Sequence, residues 1–172
     1  VRTNIVHNAV ANPQPPTLLA GGEVEVNQSS VLTTHDYFLY RMDVSVPKTV
    51  THVYFHSSVE CVDYPFQEVF SNCRSLVKVI LNNGLQRIGD SAFNNCTSLQ
   101  HIIIPPSVTT IDVNAFLGCI NLVTVVLHEG LQKIERSAFC GCRSLQHIHI
   151  PTTVTTIGDH AFRGCAVTPH LN

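Results

Sequence analysis

Phe70, Phe93, Phe116, Phe139 and Phe162 stand 23 residues apart, and Cys73, Cys96, Cys119, Cys142 and Cys165 keep step with them. A fixed period of this length demands a solenoid, in which each turn buries its apolar side chains only against its neighbours. Further columns share the spacing. Leu76, Leu99, Leu122 and Leu145 are followed by Val79, Ile102, Val125 and Ile148, then by Leu81, Ile104, Leu127 and Ile150. The resulting L-x-x-[VI]-x-[LI] pattern reads as a short strand whose alternate residues point inward. Leu85, Val108, Leu131 and Val154 come next, then Ile88, Ile111, Ile134 and Ile157, then the Ala-Phe pairs. Each turn therefore offers a complete set of apolar groups to one continuous core.

A longer period overlies the first. Residues 97–119 and 143–165 agree at 15 of 23 positions and 74–96 and 120–142 at 12, whereas the adjacent 74–96 and 97–119 agree at only 7. The unit of duplication is a pair of turns. Its members differ mainly after the strand, where P-P-S-V and P-T-T-V alternate with N-N-G-L and H-E-G-L. Proline fixes φ at this corner, whereas Gly84 and Gly130 permit a turn at positive φ.

The expected fold is a mainly β solenoid, a right-handed superhelix with one parallel sheet face and short strand or 3₁₀ segments on the other. Residues 1–36 lack the period, contain A-N-P-Q-P-P-T and A-G-G, and read as an extended N-terminal arm. Residues 37–73 read as an irregular capping turn, in which V-P-K-T-V-T-H-V (46–53) echoes I-P-P-S-V-T-T-I (104–111) and about three extra residues precede Phe70. Residues 74–167 hold four 23-residue repeats, and 168–172 form a C-terminal tail. Because the first residue is Val, the chain is expected to be processed, trimmed or a fragment.

The unit A-F-x-x-C-x-x-L-x-x-[VI]-x-[IL]-P-x-x-V-x-x-I resembles the BspA-like leucine-rich repeats, over about residues 44–167. The alternation of E-G-L-Q-K-I with P-x-x-V-T-T-I looks most like the versions found in diatoms. The sequence departs from the commoner leucine-rich pattern, since Gly84, Ser107, Gly130 and Thr153 occupy the place of an Asn ladder. A-F-x-x-C leaves room for about one turn of helix or 3₁₀. The resemblance implies binding rather than catalysis and carries no shared active site.

Charged residues make up 13% of the chain, the net charge is −2, and no basic run suggests nucleic acid. No apolar stretch approaches the roughly 20 residues that span a bilayer. Five of the seven cysteines occupy a repeat column, where a small buried thiol packs as a hydrophobe. Free thiols are expected, although neighbouring pairs could reach one another, and Cys61 and Cys140 should be the exposed ones. Sequons at Asn27 and Asn95 are too short a signal to assign a compartment. No nucleophile with a base, paired carboxylates or phosphate-cradling loop appears, so no enzyme activity, cofactor or metal is expected.

If Leu76, Val79 and Leu81 point inward, the sheet's outer face holds Lys78, His101, Thr124 and His147 in one column and Ile80, Ile103, Val126 and His149 in the next. A third column begins with Asn82 and His128. The apolar stripe marks a candidate docking face, although β-branched residues suit strands in any case and the N-terminal arm could cover it. The imidazoles have no carboxylate beside them in these columns and read as solvated rather than metal-binding. The expected function is a protein–protein interaction or scaffold module, as a peripheral subunit docked on a larger, multi-subunit complex. A secreted or cell-surface adhesin domain is the alternative.

Overall fold

In the computed structural model, backbone is described for residues 37–40, 46–55, 59, 61–62 and 69–166, and side chains for all of these except 37–40 and 61–62. The expected arm, the C-terminal tail and the side chain of Cys61 lie outside the described residues. Among the described residues eleven short strands follow one another: β1 (Tyr37–Tyr40), β2 (His52–Phe55), β3 (Cys61–Val62), β4 (Lys78–Ile80), β5 (Arg87–Ile88), β6 (His101–Ile103), β7 (Thr110–Ile111), β8 (Thr124–Val126), β9 (Lys133–Ile134), β10 (His147–Ile148) and β11 (Thr156–Ile157). All pairings are parallel. One side of the stack carries the ladders β1-β2-β4 and β6-β8-β10, and a second side carries β3-β5-β7-β9-β11. The chain is a parallel β-solenoid of about four turns, with no helix among the described residues.

The A-F-x-x-C corner closes each turn with bonds of the 3₁₀ type. Its N–H groups form overlapping i to i+3 turns, as in Asn94 N to Ser91 O (3.1 Å) and Cys96 N to Phe93 O (3.2 Å). Left-handed residues bound the corner and stop a helix from propagating. Asn72, Asn95, Gly118, Gly141 and Gly164 immediately precede the cysteines, with φ of 60°, 57°, 72°, 76° and 77°. Asn and Gly are the residues that tolerate this conformation best. A second left-handed column holds Ser91, Asn114, Ser137 and His160. Alternate N–H groups in the corner then donate to the following turn: Phe93 N to Ala115 O, Phe116 N to Ala138 O and Phe139 N to Ala161 O, at 2.7–2.8 Å.

The phenylalanines stack through the core with ring centroids 5.1–5.4 Å apart and planes within 9° of parallel from Phe70 to Phe162. Four column thiols donate to the carbonyl of a phenylalanine one turn earlier: Cys96 to Phe70, Cys119 to Phe93, Cys142 to Phe116 and Cys165 to Phe139, at 3.1–3.2 Å. All six described cysteines are free. Burial pushes the thiols of Cys73 and Cys96 up, and that of Cys119 up to about 12. Cys142 is also pushed up, by its hydrogen bond to Cys165 and then by burial, whereas Cys165 is held down as the other partner of that bond. Cys140 is half-buried, outside the core column as expected.

The two corner chemistries interlock. Ser107 Oγ donates to Leu85 O at 2.6 Å, and Thr153 Oγ1 donates to Leu131 O at 2.7 Å, so each proline-type turn reaches back to the glycine-type turn before it. Gly130 has φ +120°, and a Cβ there would stand 2.7 Å from Pro106 O. Gly84 stays outside the left-handed region, so of the two glycines only Gly130 uses the freedom its residue type permits. The Gly84 N–H is instead held by the side chain of Asn82 at 2.6 Å.

The first turn also differs from its sequence reading. Val53 pairs with Val79 and His52 with Lys78, so residues 50–55 are a rung of the L-x-x-[VI]-x-[LI] side, not an echo of 104–111. Val50 N donates to Pro47 O as Leu76 N donates to Cys73 O, which sets V-P-K-T-V over N-C-R-S-L. The apparent echo arose because Pro47, Val50 and Val53 share the spacing of Pro105, Val108 and Ile111 and equally that of Cys73, Leu76 and Val79, so the pattern fits both sides of the coil. His52 and Lys78 lie 26 residues apart, against 23 for His101 and Thr124. The same offset of 26 holds for Cys61 with Arg87, while Phe70 is 23 before Phe93, which places the three extra residues between Val62 and Phe70.

Lys48 closes this end of the corner ladder. Its ammonium donates to Ser71 O at 2.7 Å and approaches Val69 O at 3.5 Å. These carbonyls correspond to Asn94 O and Ala92 O, which receive Asn72 N and Phe70 N from the turn before. Lys48 thus donates to carbonyls whose counterparts in the next turn receive backbone N–H groups.

Three outcomes follow from this packing. Phe116→Ala should lower stability by about 3–5 kcal/mol in urea unfolding, and Phe162→Ala, at a half-exposed rung, by clearly less. Lys48→Met should cost about 1 kcal/mol and speed amide exchange at Phe70 and Asn72 more than at Phe116. Among the cysteines with described side chains, native-state alkylation should modify Cys140 and Cys165 first, leaving Cys73, Cys96, Cys119 and Cys142 protected until denaturant is added, as peptide mass mapping would show.

Candidate functional site

Strand alternation sends Val79, Ile102 and Val125 into the core and turns their neighbours outward. The structure places all eight candidate face residues on this outer side. Lys78, His101, Ile103, Val126, His147 and His149 are exposed, and Ile80 and Thr124 are half-buried. Cross-strand register aligns His101 with Thr124 and Thr124 with His147, and aligns Ile103 with Val126. His149 lies one residue beyond the end of β10. β4 and β6 are neighbours along the stack, although they belong to separate hydrogen-bonded ladders.

The pairing of β2 with β4 extends both columns by one rung that alternation alone did not identify. His52 stands opposite Lys78, and Tyr54 opposite Ile80. The apolar column therefore runs Tyr54, Ile80, Ile103, Val126. Two further apolar residues on this side also escaped the sequence reading. Val77 is outward although it directly precedes outward Lys78, because the chain bends into the strand there, and Ile120 lies two residues before Leu122 in the approach to β8. Val77 (45%), Ile103 (62%), Ile120 (40%) and Val126 (37%) are the exposed large hydrophobics among the described residues; Ile103 and Val126 lie in β6 and β8, Val77 directly precedes β4, and Ile120 lies in the turn that leads to β8. No group of three or more His, Cys, Asp or Glu among the described residues is arranged to hold a metal ion. No described helix is long and apolar enough to cross a membrane.

What this arrangement can do is bind. A flat, backbone-paired platform with an apolar stripe and imidazole and ammonium neighbours supplies contact area and hydrogen-bond donors on a scaffold whose rungs are locked by the core.

Comparison with known proteins agrees with this architecture. A leucine-rich repeat protein from T. pallidum superposes with a TM-score of 0.62 at 34% identity, covering 66% of this chain and 54% of that one. A leucine-rich cell surface protein from Faecalibacterium prausnitzii A2-165 is 29% identical, with a TM-score of 0.50, covering 67% of this chain and 37% of that one. The pneumococcal vaccine antigen PcpA shares the fold at 19% identity, with a TM-score of 0.63 and coverage of 76% and 38%. The chain thus spans about half or less of the length of these solved relatives. All three are bacterial, and none bears on the diatom likeness. Among curated proteins nothing matches the chain. The model of the BspA type leucine rich repeat region matches residues 46–169 in six copies. That match runs through every turn described above, and the chain belongs to the BspA type leucine-rich repeat family.

Proposed function

We propose that this chain is a non-catalytic recognition module that binds a protein partner across its outer strand face, as a peripheral subunit or scaffold element of a larger assembly. The observation that carries the reading is the concentration of the exposed large hydrophobics on one side of the stack. Single apolar residues on a surface are ordinary, whereas a one-sided cluster with polar neighbours is the pattern of an interface. The core beneath it is continuous, so substitutions on the face leave the buried columns untouched.

A second reading, a secreted or cell-surface adhesin domain, draws support from the F. prausnitzii relative, which is a cell surface protein. It uses the same face and differs in the partner.

Cross-linking mass spectrometry on natively isolated complex tests the proposal. Lys78 should cross-link to one defined partner in the parent chain. Ile103→Asp or Val126→Asp should abolish that cross-link and co-purification while leaving unfolding midpoints within about 0.5 kcal/mol of the parent. Retention of the partner by both variants would place binding on another surface. Isolation as a glycan-bearing protein at the cell exterior, with an extracellular partner, would favour the adhesin reading.

A further inference from the structure

The strand side is also electrostatically one-sided. Residues 50–55, 74–82, 97–105, 120–128 and 143–151 include Arg74, Lys78 and Arg143 but no Asp or Glu. The five carboxylates among the described residues, Asp90, Asp112, Glu129, Glu135 and Asp159, all belong to the remaining sides of the coil. There they are offset by Arg87, Lys133, Arg136 and Arg163. Asp112 is engaged directly: Arg87 grips both its oxygens, with Nη2 to Oδ1 at 2.8 Å. By contrast, Arg74, Lys78 and Arg143 are exposed and form no ion pair among the described residues. Fixed positive charge is thus collected on the side that also collects the exposed apolar groups, and His52, His101 and His147 add ring N–H donors along its Lys78 column.

We infer that the strand face receives an acidic protein segment, its apolar side chains over Ile80, Ile103 and Val126 and its carboxylates against Lys78, Arg74 and Arg143. This deepens the proposed function and rests on it. Charge complementarity selects the occupant: carboxylates meet cations that have no ion-pair partner among the described residues, and like-charged partners are rejected. A polynucleotide fits less well. Three fixed charges spread along the stack neutralise few phosphates, and a phosphodiester chain laid along the face would set charge over Ile103.

Three synthetic amphipathic peptides test the inference, alike in their leucines and bearing Glu, Gln or Lys at every flanking position. Fluorescence anisotropy would be read at low and high salt. The Glu peptide should bind about tenfold more tightly than the Gln peptide at low salt, with the advantage shrinking at high salt. The double variant Lys78→Glu, Arg143→Glu should reverse the order in favour of the Lys peptide, with the fold checked by circular dichroism. Equal binding of the Glu and Lys peptides, displacement of the Glu peptide by single-stranded RNA, or no binding by any peptide would overturn the inference. If Gln and Glu peptides bind equally and Ile103→Asp abolishes both, the face is a protein-binding surface and the acidic specificity is wrong. The two readings therefore fail separately.

Discussion

The carbonyl of each core phenylalanine accepts two hydrogen bonds, and the strict period depends on that double use. Phe93 O takes Cys96 N from its own turn at 3.2 Å and the Cys119 thiol from the next at 3.1 Å. The first bond shapes the corner. The second ties that corner to the following turn from inside the core, where no water could substitute. A residue at the cysteine position must therefore be small, apolar enough to be buried, and able to donate. Serine would meet the donor requirement at a greater desolvation cost, and alanine would leave the carbonyl half-used. Inserting one residue between Phe and Cys would break both bonds at once, which is why Phe-x-x-Cys recurs without drift.

This coupling explains which parts of the structure were legible in the sequence. Buried columns repeat because each buried side chain meets its own copy above and below, as the near-parallel rings of Phe93, Phe116 and Phe139 show. The inward and outward assignment of the strand side followed from alternation, so the Ile80, Ile103 and Val126 column could be named without coordinates. Features that depend on the edge of the stack were not legible. The first turn is longer by three residues, so its spacing matched the wrong side of the coil. Lys48 acts through backbone carbonyls of residues 69 and 71, and no side-chain pattern announces that a lysine will donate to them. Val77 lies at a bend where two consecutive residues face outward, and alternation fails there.

The left-handed column before the cysteines lies between these cases. The run Asn72, Asn95, Gly118, Gly141, Gly164 is visible in the sequence as N-C, N-C, G-C, G-C, G-C. Read as a conformational signal, it places a positive φ immediately before each core thiol and ends the corner there. The second such column, Ser91, Asn114, Ser137 and His160, carries no such signal, because Ser and His rarely adopt this conformation and are held in it by the surrounding turns. Local preference and tertiary demand agree at one bend and conflict at the other.

The two ends of the stack are unlike. At the N-terminal end Lys48 satisfies the corner carbonyls, and β1 pairs with β2 along the strand side. In the last described turn Ile148, Val154, Ile157, Phe162 and Cys165 are only partly buried, whereas their counterparts in the turns before are buried. Stability in a solenoid is a sum of neighbour interfaces, so the turns flanked on both sides are the ones most firmly held. The central part of the strand face, at Ile103, Thr124 and Val126, sits over the turns with neighbours on both sides. The most exposed apolar residue, Ile103, is thus carried by the best-supported part of the backbone. A recognition surface placed there loses little entropy on binding, because the platform is already ordered by the core beneath it.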